Sequence, residues 1–378
     1  MNPTDLRTSQ SAGRLLSLDA FRGLTVAGMI LVNNPGDWGH VYPPLRHAPW
    51  HGFTATDLVF PSFLFIVGVA IPLALGKRVA RGDSRGALLG KILWRSAVIF
   101  GLGLMLNAFP FDRPWATLRI PGVLQRIALC YFAASLIYLT TRVRGQILAT
   151  LVLLLGYWAL MTLHLPGFPD FDLSRIGNFA AWIDRLVMAD HLYKPEYDPE
   201  GILSTIPAVA TTLIGVVTGH WLQTDRPLGD RVSGMFAAGA TAMVVGAVWD
   251  TVFPINKALW TGSFVLWTAG LSLQILGICA WLIEIEGRRR WAWPFLVFGG
   301  NAIAAYVLSG LGGRLLGYVK VPVSEGPPVP FKSYVVNEVL TPMLGDPTPA
   351  SFIWALVYVL FWLGVMAVFY RMKWFIRV

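Results

Sequence analysis

The sequence predicts an all-α, polytopic membrane helix bundle of about ten transmembrane helices, with both termini cytoplasmic. Three observations carry that prediction. Only 13% of the 378 residues are charged and 55% are hydrophobic, where a soluble domain carries about 25% charged residues, so a soluble fold could not cover its surface. About ten stretches come close to the ~20 apolar residues that cross a hydrocarbon core. Basic residues concentrate in every second connection between those stretches. Aromatic residues at 13% exclude a disordered chain, and the net charge of +9 cannot indicate nucleic acid in so apolar a composition.

In chain order the apolar stretches are 15–33, 56–75, 92–109, 122–139, 146–163, 203–222, 232–252, 262–285, 291–311 and 351–370. Each must be helical in lipid, because a helix satisfies its own backbone polar groups. The first carries Asp19 and Arg22 and no small-residue cleavage site, so it reads as a retained helix rather than a signal peptide. Arg7 and Arg14 precede it. Lys77, Arg78, Arg81, Arg85 and Lys91 follow the second stretch; Arg142 and Arg144 follow the fourth. Arg226, Arg231, the run Arg288-Arg289-Arg290, and Arg371, Lys373 and Arg377 complete one side. The positive-inside rule places that side in the cytoplasm. It predicts a multi-pass protein of the cell's inner (cytoplasmic) membrane, with residues 1–13 a cytoplasmic tail and 14–378 one transmembrane domain. The outer connections 34–55, 165–202 and 312–350 are long and rich in Pro, Gly, Trp and Tyr. Cys130 and Cys279 lie far apart in apolar stretches and read as small buried residues, and no internal repeat is evident.

Ionisable groups at membrane depth are costly and mark sites or ion pairs. Asp19 and Arg22, three residues apart, share a helix face; they read as an ion pair, or as a pair in which Arg22 meets a phosphate. The stretch from Asn33 to Asp57 holds three of the six histidines, His40, His47 and His51. A neutral imidazole there could take a proton from a nucleophile, Asp57 could hold its tautomer, and the Asn33 amide could donate to an oxyanion. The bland reading is His and Trp packing at headgroup level. The histidine spacing suits no metal site. Gln125 and Arg126 sit one turn inside a helix and read equally as structural pairing, with Asn107 a neighbour, or as ligand binding. Asp198 and Glu200 precede the helix that begins near Ser204 and Thr205; they suit the helix dipole or recognition of a cationic or polyhydroxyl substrate. Lys257 lies in a short outer turn, and Gly299-Gly300-Asn301 suits small-residue helix packing.

Several motifs, taken in order, resemble the heparan-α-glucosaminide N-acetyltransferase family. They are Ser17-Leu18-Asp19-Ala20-Phe21-Arg22-Gly23, Leu31-Val32-Asn33, His47-Ala48-Pro49-Trp50-His51-Gly52 and Asp57-Leu58-Val59-Phe60-Pro61. Pro121-Gly122-Val123-Leu124-Gln125-Arg126-Ile127, Asp198-Pro199-Glu200-Gly201 and Phe253-Pro254-Ile255-Asn256-Lys257 continue the likeness. It runs from about Arg14 onward, without the lumenal domain and extra first span of the animal enzymes. The resemblance implies transmembrane acetyl transfer, with cytoplasmic acetyl-CoA as cosubstrate, no metal, and the amine of a glucosamine-type sugar as acceptor. It implies His47 as the essential histidine, with Asn33 and Asp57 as its catalytic companions. His51, Trp50, Asp198, Glu200 and Lys257 are the expected acceptor-binding residues. The basic inner ends nominate Arg22, Arg95 and Lys91 for the CoA phosphates, with Gln125 and Arg126 as further cofactor contacts. The expected partners are these two small molecules and the bilayer, with no nucleic acid; a homodimer is compatible with the resemblance. His47 acts either as general base or as acetyl-accepting nucleophile. Two rival classes stand beside this one: a membrane O-acyltransferase acting on cell-envelope sugars, and a secondary sugar transporter, which would more often show repeats and mid-membrane breaks.

Overall fold

The computed structural model describes residues 15–112, 114–163, 171–323 and 327–376. The expected tail at 1–13, together with Arg7, Arg14 and Arg377, lies outside the described residues. The chain forms α1 (Leu16–Asn33), α2 (Ala55–Ala80), α3 (Arg85–Ala108), α4 (Val123–Thr140) and α5 (Val143–Thr162). After the short α6 (Phe179–Met188) come α7 (Thr205–Leu222), α8 (Leu228–Asp250), α9 (Gly262–Ala280), α10 (Trp293–Gly300), α11 (Ala302–Tyr318) and a final helix, Pro347–Arg371. Among the described residues nine helices are long and apolar enough to cross a membrane, and the segments Arg290–Gly300 and Ala302–Tyr318 form an apolar pair bent by 75°, a broken span or a re-entrant loop. This is a polytopic all-α membrane protein, and the nine helices and the bent pair coincide with the ten apolar stretches.

Close backbone approach joins the bundle. A Cβ on Gly68 of α2 would lie 1.9 Å from the Thr212 carbonyl oxygen, and one on Gly215 of α7 would lie 2.1 Å from that of Phe65. The same lock holds α1 to α10, where Gly23 faces the Phe295 carbonyl and Gly299 that of Asp19. Lipid offers little hydrophobic drive between helices, so such small-residue crossings supply contact that bulky side chains would forbid. Outward faces remain apolar: Leu148, Leu151, Val152 and Leu155 on α5, and Val244, Val245 and Val248 on α8, are exposed. Exposed rows of this kind suit lipid rather than water.

The apolar run 291–311 predicts one helix, with Gly299-Gly300-Asn301 as a packing site. Gly299 does pack against α1, but the helix also breaks there. Asn301 is buried; its Nδ2 donates to the Trp374 carbonyl at 3.0 Å and its Oδ1 accepts from the Ile376 amide at 2.9 Å. Its side chain is thereby committed and does not cap α11. Beyond the break α11 runs to Tyr318, so the start of the third outer stretch is helical. Backbone hydrogen bonding does not stop at the hydrocarbon boundary where the apolar run ends. The Asn301 clamp also brings Trp374–Ile376 to the end of the bundle where α1 starts, because Asp19, Arg22, Phe375 and Ile376 line one cavity. Both ends of the described chain therefore lie on the basic side. The opposite side is covered by long connections, tied together where the Trp50 indole donates to the Leu173 carbonyl at 2.8 Å.

Candidate functional site

The site begins with a helix cap. Thr54 precedes α2 and forms a capping box with Asp57, the third residue of that helix. The box turns the Asp57 carboxylate back toward the loop. Its Oδ2 accepts from the Ala48 amide at 3.1 Å and the Thr54 amide at 3.0 Å. Its Oδ1 accepts from His47 Nδ1 at 2.6 Å. The Asp57 side chain is 1% exposed and that of His47 is 46% exposed. A buried carboxylate on Nδ1 fixes the proton there, leaving the lone pair on Nε2. The threonine three residues before Asp57 was the sequence signal for this geometry.

Lys257 Nζ lies 3.3 Å from His47 Nε2. The turn carrying it is anchored to the histidine loop, since the Gly52 amide donates to the Ile255 carbonyl at 2.8 Å and Asn256 Nδ2 lies 3.3 Å from His51 Nδ1. Burial lowers the basicity of His51, against the field of Asp250. Burial likewise lowers that of Lys257, opposed by Glu200 and Asp57. Trp50 is engaged by Leu173, by the Tyr197 ring at 5.5 Å and by the Arg175 guanidinium at 5.3 Å.

Behind this surface sits a buried charge network. Arg119 spans two acids: Nε and Nη2 donate to Asp198 at 2.8 and 2.6 Å, and Nη2 also reaches Glu200 at 2.6 Å. Asp198 further accepts from the Tyr193 and Glu200 amides at 2.7 and 2.9 Å. All its acceptor positions are used inside the protein. Burial works against charge in this network, yet the two acids hold Arg119 above its ordinary range, and Arg119 and Lys257 hold Glu200 below its own. Arg119 was not singled out by the sequence, because a loop arginine has no periodicity to mark it. Arg126 is 1% exposed; its Nη2 donates to the Gly201 carbonyl at 3.0 Å and to Ser204 Oγ at 2.5 Å, and its guanidinium lies 5.1 Å from the Trp260 ring. Its Nε and Nη1, like Gln125 Nε2, are buried with no hydrogen-bond partner among the described residues. Asn107 donates to the Arg119 and Pro121 carbonyls at 2.9 Å, steadying the entry to α4.

Asp184 of α6 braces the same segment by accepting from the Ile202 amide at 2.8 Å. Burial pushes its carboxyl up to about 6, and Asp198 adds to this against hydrogen bonds from Ile202 and Leu203 and the charge of Arg126. A carboxyl whose folded value exceeds its unfolded one binds protons more tightly when folded, so it costs stability as pH rises from about 4 to 6. Asp184→Asn keeps the acceptor without the charge. The variant should gain stability relative to the parent at pH 8 and not at pH 4, read by melting temperature in detergent. A gain of the same size at both pH values would refute this.

Two cavities lie along the same helices. The inner one, about 390 Å³, is lined by Arg22, Arg95, Tyr131, Gly300 and Ile303 among others. The outer one, about 360 Å³, is lined by Asn33, Trp38, Tyr306, Arg314, Lys332 and Trp354 among others. Ile99 and Ile127 face the inner cavity, and Leu106 and Val123, on the same two helices, face the outer one. On α1, Val26 is fully buried one turn beyond Arg22 and one turn before Ile30. Arg95 stacks on Tyr131 at 4.8 Å, and its Nε is buried without a hydrogen-bond partner among the described residues. Arg22 Nη1 donates to Asp19 Oδ1 at 2.9 Å. Lys91 is exposed and outside this lining; Gln125 and Arg126 are buried and also outside it. The structure thus joins His47 with Asp57 and Lys257, and Arg22 with Arg95. Asn33 lies in the outer cavity, whose lining does not include His47. Trp38, Tyr306, Arg314, Lys332 and Trp354 were not singled out by sequence, since they come from four separate segments. Among the described residues no cluster of metal-ligating side chains occurs.

Comparison with known proteins bears on this arrangement. The family model described as heparan-alpha-glucosaminide N-acetyltransferase, catalytic, matches residues 14–249. The heparan-alpha-glucosaminide N-acetyltransferase of Homo sapiens is 32% identical over 365 aligned residues, covering 81% of this chain and 54% of that protein. The Mus musculus protein of the same name is 32% identical over 355 residues, covering 79% and 53%. The chain therefore spans about half the length of these relatives.

Proposed function

The chain belongs to the heparan-alpha-glucosaminide N-acetyltransferase family, and on that premise we propose that it is a membrane acetyltransferase. It carries acetyl from acetyl-CoA, taken from the cytoplasm, to the amine of a glucosamine-type sugar on the opposite side. The observation that carries this reading is the His47–Asp57 pair: a half-exposed imidazole whose Nδ1 is held by a buried, fully hydrogen-bonded carboxylate. That is the arrangement of an oriented general base.

The basic side faces the cytoplasm in this reading, following the positive-inside rule. The residues of the inner cavity fit a phosphate-bearing substrate. Arg95 has a buried donor without a partner, Arg22 lines the same wall, and α11 begins there without a side-chain cap. An uncapped helix N-terminus and two guanidiniums favour anions. The outer cavity continues along the same helices, so an extended acyl carrier bound at Arg22 and Arg95 would present its acyl end near Asn33. Asn33 there offers an amide donor to the acetyl group, and His47 Nε2 removes the proton of the sugar amine as it attacks. Asp57 stabilises the imidazolium.

Proteoliposomes holding acetyl-CoA on the basic side and glucosamine on the other test this. Free CoA should appear on the basic side and N-acetylglucosamine on the opposite one. Reaction of hydroxyl-only sugars in place of glucosamine would favour O-acyl transfer. Movement of sugar without consumption of acetyl-CoA would refute the enzyme reading. Rapid-quench labelling with radioactive acetyl-CoA and no acceptor separates direct attack, which leaves His47 unlabelled, from a covalent route.

A further inference from the structure

We propose that Lys257 is a catalytic residue of this transfer, its ammonium group stabilising the oxyanion that forms on the acetyl carbonyl beside His47. The inference rests on the acetyltransfer reading and adds to it a residue 210 positions away from the histidine.

Nζ lies 3.3 Å from Nε2 and 3.5 Å from Nδ1 of the same ring. A donor on the lone-pair axis of Nε2 would be far closer to Nε2 than to Nδ1. Near-equal distances, at contact range, put the ammonium over the face of the imidazole. The Nε2 lone pair stays open to an incoming amine, and a positive charge sits beside it. Among the described residues Nζ has no other hydrogen-bond partner and no carboxylate within 4.0 Å. The nearest acids are committed: Asp57 to His47 and two amides, and Glu200 Oε2 to Arg119. A half-buried ammonium facing only an imidazole is a poorly compensated charge, which negative charge arriving during turnover would balance.

The turn bearing Lys257 is built to hold that position. Asn256 Oδ1 accepts from the Leu259 amide at 2.9 Å, and the Asn256 amide donates to Thr261 Oγ1 at 3.1 Å. Trp260 has φ of 55°, in the left-handed region that a bulky residue rarely adopts. It is held there by full burial, by its indole donating to Thr211 Oγ1 at 3.1 Å, and by the Arg126 guanidinium on its ring. Strain retained in a buried turn is common where position matters to chemistry. The charges around the pair come from four elements: Asp57 on α2, Glu200 ahead of α7, Arg119 ahead of α4 and Arg126 on α4. The two acids sustain the ammonium; the two arginines oppose it.

The step balances without an added reagent. The neutral amine nitrogen bonds to the acetyl carbon, and the carbonyl π pair moves onto oxygen, facing Nζ. The amine proton passes to His47 Nε2. The oxygen pair re-forms the carbonyl as the carbon–sulfur bond breaks, and the departing thiolate takes the proton from the imidazolium. Lys257 keeps its three protons throughout.

Lys257→Met and Lys257→Arg, in the full-length detergent-purified protein, test the assignment with two readouts. The first is steady-state turnover with acetyl-CoA and glucosamine. The second, needing no substrate, is the pH dependence of His47 modification by diethylpyrocarbonate. Lys257→Met should lower kcat about 10²- to 10³-fold with the KM for acetyl-CoA nearly unchanged, the loss typical of one oxyanion donor. It should also move the His47 titration to higher pH, because a neighbouring cation has been removed. Lys257→Arg should restore part of kcat and return the titration toward the parent's. Turnover of Lys257→Met within threefold of the parent would overturn the proposal. So would equal losses in both variants with an unmoved His47 titration, which would mark a merely structural turn. A parent protein that never releases CoA would instead overturn the acetyltransfer reading itself.

Discussion

Replacing His47 with alanine is expected to lower kcat for acetyl transfer by about 10²- to 10⁴-fold, the range for loss of a general base. The bundle should survive the change. The His47 side chain is half exposed, and among the described residues its ring hydrogen-bonds Asp57 through Nδ1, meets the Lys257 ammonium over its face and packs in no apolar cluster. Asp57 retains the Ala48 and Thr54 amides in the variant, so the cap of α2 persists. This makes His47→Ala a cleaner probe than Asp57→Ala, which would remove the tautomer holder and the capping acid together. Far-UV circular dichroism and melting of the purified variant should match the parent while CoA release collapses. Turnover within tenfold of the parent would sink the base assignment, and a collapse of both signals would show that the residue is structural.

Replacing Arg119 with alanine is expected to destabilise the protein by about 3–5 kcal/mol, the range for removing one partner of a buried pair. Both carboxylates are almost fully enclosed and the Arg119 side chain is 23% exposed. The variant leaves two acids facing each other with little water. Asp198 also receives the Tyr193 and Glu200 amides, so its displacement would loosen the segment leading into α7. Combining Arg119→Leu with Asp198→Leu and Glu200→Leu should recover part of the loss, because charge desolvation disappears with the charges. Denaturant or thermal unfolding in one detergent, compared across the set, reads both effects. A loss under about 1 kcal/mol would mean that the network behaves as a surface ion pair.

Much of the architecture was legible in the chain itself. Lipid permits one local structure to an apolar stretch, so counting such stretches and the basic residues between them yields the number of crossings. The Asp57–His47 pairing was also within reach, because Thr54-Ala55-Thr56-Asp57 is a capping signature and a capping acid faces back into the preceding loop. The break at Asn301 was not. Two glycines in an apolar run fit either a packed helix or a broken one, and the choice depends on Trp374 and Ile376, some 73 and 75 positions further on.

The expected substrate contacts divided along the same line. Asp198 and Glu200 lie ahead of α7, in the connection that the charge pattern predicts to face outward. Only the folded chain gives them Arg119, 79 and 81 positions earlier. Likewise Asn33 and His47 are close in sequence, yet Asn33 turns into a cavity walled by α11 and the segment around Lys332, while His47 turns toward Lys257. Local hydrophobicity, helix capping and charge asymmetry act over a few residues, and they set the elements and their polarity across the bilayer. Which charged side chains meet depends on how helices cross, through contacts such as Gly68 with Thr212 and Gly23 with Phe295. Those contacts join distant segments, so the partners of His47, Glu200 and Asn301 exist only once the whole bundle has packed.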